Sequence, residues 1–111
     1  MRSCATAVLE RLAHVDAPFE TEPYELPWAA EARFFVHTLE LIGDAALLEF
    51  RTQISPDGLN WCDLDEVSHQ VAKVGLTSWS VDSFGQWLRL RCVPTERQTA
   101  ATIRVYLVSK S

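Results

Sequence analysis

Apolar and polar positions alternate clearly along this sequence, and the clearest stretch covers residues 46–54. Its apolar or neutral positions are Ala46, Leu48, Phe50, Thr52 and Ile54. The positions between them carry Glu49, Arg51 and Gln53. A period of two predicts a strand with one face in a core and the other in water. The following Ser-Pro-Asp-Gly predicts a tight turn, and Trp61 follows it as a large apolar anchor.

Residues 33–42, 86–93 and 100–109 show the same alternation and predict three more strands. The first of these is apolar on both faces near its start, where Phe34 and Val36 alternate with Phe35. This pattern predicts a central strand with a partner layer or a neighbouring segment on each side. The Gly43-Asp44 pair predicts a hairpin that joins this strand to the next one.

The remaining stretches carry weaker patterns. Residues 4–14 fit an edge strand or a helix, and we favour the strand because everything downstream has a β pattern. Residues 19–26 predict a short exposed strand in which Pro23 requires an edge or a bulge. They belong to an acidic, aromatic segment, residues 18–28, that would either wrap its own domain or dock on a neighbouring subunit. Residues 67–74 and 77–81 predict two further short strands.

Together these stretches predict an all-β fold, an antiparallel β-sandwich of jelly-roll type with seven or eight strands. The length of 111 residues fits a single domain over residues 1–111, because there is no room for a second core. Within that domain, residues 1–32 could form an N-terminal strand followed by a Pro-rich arm.

The charge composition argues against two classes of partner. The formal net charge is −5, which disfavours nonspecific binding to nucleic acid or to an anionic membrane. The positive charges are eight Arg and two Lys. Because arginine binds planar partners and stacks on aromatic rings, this bias favours use in an interface.

The N-terminal sequence and the cysteines bear on location. The short apolar patch near the N-terminus is interrupted by Glu10 and Arg11, so we predict no signal peptide. A cytoplasmic location follows as an expectation, with incorporation into a larger particle left open. Three widely spaced cysteines predict reduced thiols, although a Cys62–Cys92 bridge stays open if their strands are adjacent.

Two segments resemble discoidin-type modules, a family of galactose-binding-like β-sandwiches. Residues 50–61, FRTQISPDGLNW, are similar to a strand that ends in a Ser-x-Asp-Gly-x-x-Trp turn. Residues 84–108 contain FGQWLRLRC and ATIRVYLV, which resemble the last two strands of the same modules. The resemblance implies a sandwich that binds carbohydrate. This chain is shorter than such modules and lacks the terminal cysteine pair that many of them carry. Because the ligand loops of such modules are hypervariable, no binding residue is transferred.

The strand pattern also indicates a candidate binding surface. If the strands share a sheet, their outward side chains form one face rich in arginine and aromatic residues: Arg51, Trp87, Arg89, Arg91, Arg104 and Tyr106. Residues of these types anchor protein interfaces, and aromatic rings on a sheet can stack on sugars. The alternative is a solvated face with cross-strand Glu–Arg pairs that each contribute a few tenths of a kcal/mol, about 0.2–0.5.

No motif for catalysis appears in the sequence. The three histidines, His14, His37 and His69, lack the spacing of metal ligands, and no glycine-rich phosphate loop occurs. We therefore predict no catalytic residue, no metal and no cofactor. The predicted function is a non-catalytic binding or assembly module, a structural subunit that self-associates or decorates a particle. The expected partner is itself or another protein. The alternatives are a carbohydrate-binding module and a small enzyme with a cleft built from loops.

Overall fold

The computed structural model describes residues 3–96 and 98–111, and these form ten strands without a helix. The strands are β1 (Cys4–Val15), β2 (Phe19–Glu20), β3 (Tyr24–Glu25), β4 (Glu31–Ile42), β5 (Leu48–Ser55), β6 (Cys62–Asp63), β7 (His69–Val71), β8 (Gly75–Asp82), β9 (Trp87–Pro94) and β10 (Ala100–Lys110).

The strands form two antiparallel sheets. The first sheet has the order β1-β10-β4-β8. In the second sheet, β9 and β5 are central; β2 and β3 both pair with β9, and β6 and β7 both pair with β5. Each sheet therefore has four strand positions, and their order is that of a jelly roll. The predicted all-β antiparallel sandwich is confirmed. The strand count exceeds seven or eight because two positions are each filled by two short fragments.

The core lies between the two sheets and is built from alternate residues of each strand. On β9 the inward residues Leu88, Leu90 and Cys92 are fully buried, as the alternation over residues 86–93 predicts. The same holds on β5 for Leu48 and Phe50. Fully burying a side chain of this kind contributes about 1.5–3 kcal/mol, so these rows drive the packing of one sheet on the other.

Trp79 of the edge strand β8 links the two sheets through the core. Its ring centroid lies 6.0 Å from that of Phe34 and 6.0 Å from that of Phe50, one on each sheet. Its indole Nε1 donates a hydrogen bond of 3.0 Å to Thr52 Oγ1 of the second sheet. The imidazole of His69 stacks on the indole at a centroid distance of 4.1 Å and an angle of 6°. Trp79 therefore combines aromatic packing with a satisfied polar group.

The stacked position of His69 predicts a pH dependence of stability. Burial lowers the pKa of His69 from its usual 6.5, and the charge of Asp65 offsets this only in part. The unfolded chain then binds the proton more tightly than the folded protein, so stability is lost as the pH falls from 6.5 through the lower folded pKa. Urea unfolding between pH 7.5 and 5 should show this decline. His69→Phe, which keeps a ring on Trp79, should reduce the decline; an unchanged profile would contradict this origin.

The predicted hairpin at Gly43-Asp44 is wrong. Strands β4 and β5 lie in different sheets, so residues 43–47 cross from the first sheet to the second. Both neighbours of β4 come from distant parts of the sequence, namely β10 and β8. Turn residues specify that the chain reverses, but they do not specify which strand it pairs with afterwards.

The N-terminal third of the described chain packs against the sandwich of the same chain. Residues 4–15 form a strand, which confirms the strand over the helix. In the Pro-rich segment, Thr21 N donates to Leu90 O at 2.9 Å, and Leu90 N donates to Thr21 Oγ1 at 3.0 Å. Leu26 N donates to Gln86 O at 2.7 Å, and its side chain is fully buried. The segment therefore serves as an interrupted edge strand of the second sheet, with Pro23 in the gap between β2 and β3.

All three cysteines are free. Cys92 is buried on β9, and burial raises the pKa of its thiol to about 12, which makes it unreactive. Cys62 is exposed on β6, so the open alternative of a Cys62–Cys92 bridge is not realised.

Candidate interaction surfaces

The six predicted site residues lie on two opposite surfaces of the sandwich. Strands β5 and β9 are neighbours in the second sheet, so Arg51, Trp87, Arg89 and Arg91 share its outer face. Strand β10 lies in the first sheet, which places Arg104 and Tyr106 on the outer face of that sheet. The outward direction of every residue was predicted correctly, but the single combined face was not. Whether any of the six binds a partner stays a prediction.

We call the outer surface of the second sheet the arginine face; its side chains are Glu20, Glu49, Arg51, Gln53, Trp61, Asp63, Trp87, Arg89 and Arg91. Arg91 Nη1 lies 2.6 Å from Glu20 Oε1. Arg51 lies 3.2 Å from Glu49 Oε1 and 3.9 Å from Asp63 Oδ2. Because these pairs are partly exposed, each contributes at most about 1 kcal/mol. The pairing leaves this surface close to neutral.

Arg89 occupies the middle of the arginine face. Its guanidinium carbon lies 4.2 Å from the centre of the Trp61 ring, and its Nε donates a hydrogen bond of 2.8 Å to Gln53 Oε1. Burial lowers the pKa of Arg89, Glu20 raises it in part, and the nearby charge of Arg91 lowers it. The Gln53 Nε2 group in turn donates to Asp63 Oδ1 at 3.0 Å. These contacts hold Arg89 in place as part of a fixed network.

The two tryptophans of the arginine face each have a covered ring surface. Arg89 lies over Trp61, and the turn at Gly58 lies against Trp87 so closely that a Cβ at Gly58 would be 3.1 Å from the indole. The turn is fixed by Asp57, whose carboxylate accepts hydrogen bonds from Leu59 N and Asn60 N at 2.9 and 2.8 Å. These bonds hold the pKa of Asp57 well below its usual range. The covered ring surfaces cannot stack on a sugar.

The outer surface of the first sheet has a different character, and we call it the apolar face. Its apolar side chains are Val8, Leu12, Phe35, Leu39, Leu76, Tyr106 and Val108. The exposed fraction is 54% for Val8 and 64% for Leu76, at the two edges of the sheet. Exposed apolar residues are ordinary when scattered, but a contiguous group of them marks an interaction site.

Strand register makes the apolar face contiguous. Val8 pairs with Tyr106, and Tyr106 pairs with Phe35, so these side chains form one row across three strands. Val108 lies two residues farther along β10, on the same side of the sheet. Neighbouring side chains of a row lie about 4.5–5.5 Å apart at Cβ, close enough to pack on one another.

One sequence signal anticipates this surface. The two-faced pattern of Phe34, Phe35 and Val36 predicts a covering layer on each side of β4. The second sheet covers Phe34 and Val36, which are fully buried, whereas Phe35 on the opposite side is half-buried. All ten strands of the described residues belong to two layers, and none of them forms a third layer over Phe35. Tyr106 and Val108 alternate in the same way with the buried Val105 and Leu107 on β10, whereas Leu39 and Leu76 have no apolar residue directly beside them in sequence.

Two shallow clefts accompany these surfaces. One, of about 380 Å³, lies at the end of the sandwich between the loops at residues 43–47 and 72–74. The other, of about 360 Å³, lies beside the apolar face and is lined by Phe35, Val108 and the charged residues Glu31, Arg33, Asp82 and Lys110. Residues 3–96 and 98–111 contain no group of three or more His, Cys, Asp or Glu side chains that could hold a metal ion.

Residues 42–111 match the family model DUF6385, described as a domain of unknown function. The chain belongs to the DUF6385 family. No discoidin-type family matches, so of that resemblance only the β-sandwich fold is confirmed. No curated protein matches this member of DUF6385.

Solved structures share the fold at low sequence identity. The crystal structure of SPBc2 prophage-derived protein YomS has a TM-score of 0.68 and 12% identity, covering 100% of this chain and 96% of that chain. The PBSX exported protein XepA has a TM-score of 0.66 and 14% identity, covering 95% of this chain and 36% of that chain. The DUF6385 protein thus spans about a third of XepA. Identities this low show similarity of fold alone.

The described residues contain no helix with the length and apolar character needed to cross a bilayer. A cytoplasmic location stays a prediction, and XepA is described as an exported protein.

Proposed function

We propose that this DUF6385 protein is a non-catalytic structural subunit that associates with copies of itself, within or on a larger particle. The observation that carries the proposal is the apolar face, because four apolar side chains that are more than a third exposed lie on the outer surface of one sheet: Val8, Leu12, Leu39 and Leu76. Water contact with such a surface is unfavourable by roughly 25 cal/mol per Å² of apolar area. Association removes that surface from water.

The similarity in fold to prophage-derived YomS supports the same proposal. The structural match covers all 111 residues of this protein and 96% of YomS. The ten strands of the described residues form two sheets, and these offer sheet faces, short loops and shallow clefts for contact. Flat sheet faces suit packing against a protein better than enclosing a small substrate.

The arginine face supports the proposal less strongly. Its cations Arg51 and Arg91 already have carboxylate partners, and Arg89 is held by Gln53 and Trp61. A partner would have to compete with these contacts, and exposed ion pairs of this kind contribute little to affinity.

Neither alternative function has a specific observation in its favour. A carbohydrate-binding module needs free aromatic rings on its binding surface. On the arginine face one surface of Trp61 is covered by Arg89 and one of Trp87 by the turn at Gly58, and the exposed Trp28 lies outside that face. An enzyme needs titratable groups held in a pocket. The cleft at residues 43–47 is lined mainly by alanine and aliphatic side chains. The cleft beside the apolar face has four charged side chains, Glu31, Arg33, Asp82 and Lys110, but all four are exposed.

The solution mass tests the proposal directly. We expect size exclusion with light scattering to give a multiple of the 12.5 kDa chain mass, and the same multiple at low and high salt. Salt screens exposed charges but strengthens apolar association. A mass of one chain under both conditions would overturn self-association. Dissociation at high salt alone would assign the contact to the arginine face instead.

A further inference from the structure

We infer that the apolar face of the first sheet is the surface of self-association and that its occupant is a second copy of this chain. The inference rests on the proposed function and specifies which surface is used and what covers it. The face centres on the row Val8–Tyr106–Phe35 and extends to Leu76 at the opposite edge.

The size of the face matches a specific protein interface. Four strands spaced about 4.8 Å apart and about 11 residues long at 3.3 Å per residue give roughly 700 Å² of sheet. Standard interfaces bury about 800 Å² on each partner. The face therefore has nearly the area that a stable contact between two copies needs, with the flanking loops supplying the remainder.

The central row is suited to contact a like surface. Val8, Tyr106 and Phe35 carry no charge, and Tyr106 brings a hydroxyl that can reach water at the rim or a polar partner. The charged neighbours Arg104 and Arg33 lie on either side of the row, two residues away along β10 and β4. The row itself is uncharged, as the core of a protein interface usually is. Beyond the row, Arg104 pairs with His37 and His37 pairs with Leu76, so these two polar side chains separate the row from the β8 edge.

The charge of the face favours a second copy over a strongly charged partner. On the four strands of the first sheet the exposed charged residues are Arg11, Arg33, Arg104 and Lys110 against Glu31, Glu40 and Asp82. This near balance contrasts with the net charge of −5 for the chain. A basic or acidic partner would gain no steering from such a surface. Two copies can approach through it with little of the repulsion that the whole molecule would exert.

The β1 edge of the sheet is less suited to the contact than the face. Strand β1 is a 12-residue edge strand, but its pairing with β10 shifts between Val8 and Glu10 and again between Glu10 and Ala13. Irregularities of this kind bend an edge and block the addition of another strand. We therefore place the second copy over the side chains of the sheet.

The test introduces a charge at the row. Val8→Asp places a carboxylate where the second copy would bury it without a partner, and an unpaired buried charge is strongly unfavourable. We expect the dissociation constant of the oligomer to rise about 100-fold or more, which corresponds to about 2.8 kcal/mol. The matched control is Val67→Asp, because Val67 is 52% exposed, close to the 54% of Val8, and lies in the loop before β7. Light scattering over a concentration series measures both variants.

A second variant separates loss of contact from loss of fold. Leu76→Asp lies on β8 at the opposite edge of the same face and is 64% exposed, so it should dissociate the oligomer while circular dichroism and thermal unfolding stay near wild type. Wild-type protein that is oligomeric, with both face variants equally oligomeric, would overturn this inference and leave the proposed function intact. Monomeric wild-type protein would overturn the proposed function itself. Dissociation by Val67→Asp as well would overturn the assignment to this face.

Discussion

Replacing Trp79 by alanine is expected to lower the free energy of unfolding by about 3–5 kcal/mol, the range seen for buried aromatic residues replaced by alanine. The exposed fraction of Trp79 is 7%, and its ring touches the aromatic cores of both sheets through Phe34 and Phe50. The substitution also leaves Thr52 Oγ1 without the indole donor and His69 without its stacking partner. The loss is therefore larger than a cavity alone would cause.

Chemical denaturation at neutral pH measures this effect. Trp28→Ala serves as the control, because Trp28 is 44% exposed and lies outside the core; we expect it to change stability by less than about 1 kcal/mol. Thr52→Val removes the inter-sheet hydrogen bond while keeping the volume, and should account for about 1 kcal/mol of the total. A loss for Trp79→Ala no greater than that for Trp28→Ala would contradict the central role of this residue.

Replacing Gly58 by alanine is expected to destabilise the fold by about 2–5 kcal/mol. The φ of Gly58 is +78°, a left-handed conformation that L residues adopt at a cost of about 1–2 kcal/mol. An added Cβ would also lie 3.1–3.2 Å from three atoms of the Trp87 indole, so the ring or the turn would have to shift by a few tenths of an ångström. Crowding of this kind typically adds about 1–3 kcal/mol.

Gly85 provides a closely matched control for this substitution. Its φ is +79°, yet a Cβ there would meet no atom within 4 Å. Gly85→Ala should therefore show the conformational cost alone, about 1–2 kcal/mol. The difference between the two variants, measured by thermal unfolding, isolates the contact between the turn and Trp87. Equal losses would show that the contact contributes nothing.

Association through the arginine face and association through the apolar face should depend differently on salt concentration. A salt series therefore shows which surface an assembly uses. A partner bound to the arginine face would be held by ion pairs with charged residues such as Arg91 and Glu20, and such pairs weaken as salt rises. Contacts of the apolar face depend on burial of side chains such as Val8 and Leu76 and do not weaken. A salt series on wild type and on Val8→Asp therefore identifies the surface in use.

The direction of each side chain on the main strands follows from the sequence alone. Leu88, Leu90 and Cys92 face the core, and Trp87, Arg89 and Arg91 face outward, as the alternation predicts. This is possible because successive side chains of a strand point to opposite sides, so the direction is a local property with a period of two. The choice of strand for residues 4–15 and the turn at Gly58 are local in the same sense.

Which strands share a sheet was decided only by the tertiary structure. Arg104 and Tyr106 were placed with Arg89 on one face, yet β10 and β9 lie in different sheets although they are consecutive in sequence. Gly43-Asp44 was likewise predicted to form a hairpin, yet it connects β4 and β5, which lie in different sheets. In a jelly roll the pairing partners are far apart in sequence, and no local pattern encodes them.

The apolar face shows the same division between local pattern and long-range pairing. Each strand of the first sheet contributes only one or two apolar side chains to it, such as Val8 from β1 and Leu76 from β8, so no single stretch reveals the surface. Two places indicate locally that a second layer is needed: Phe35 beside Phe34 on β4, and Tyr106 and Val108 beside Leu107 on β10. The sequence by itself determines which way these residues point. The long-range pairing of four strands brings them together as one surface, because neighbouring strands lie within contact distance of each other.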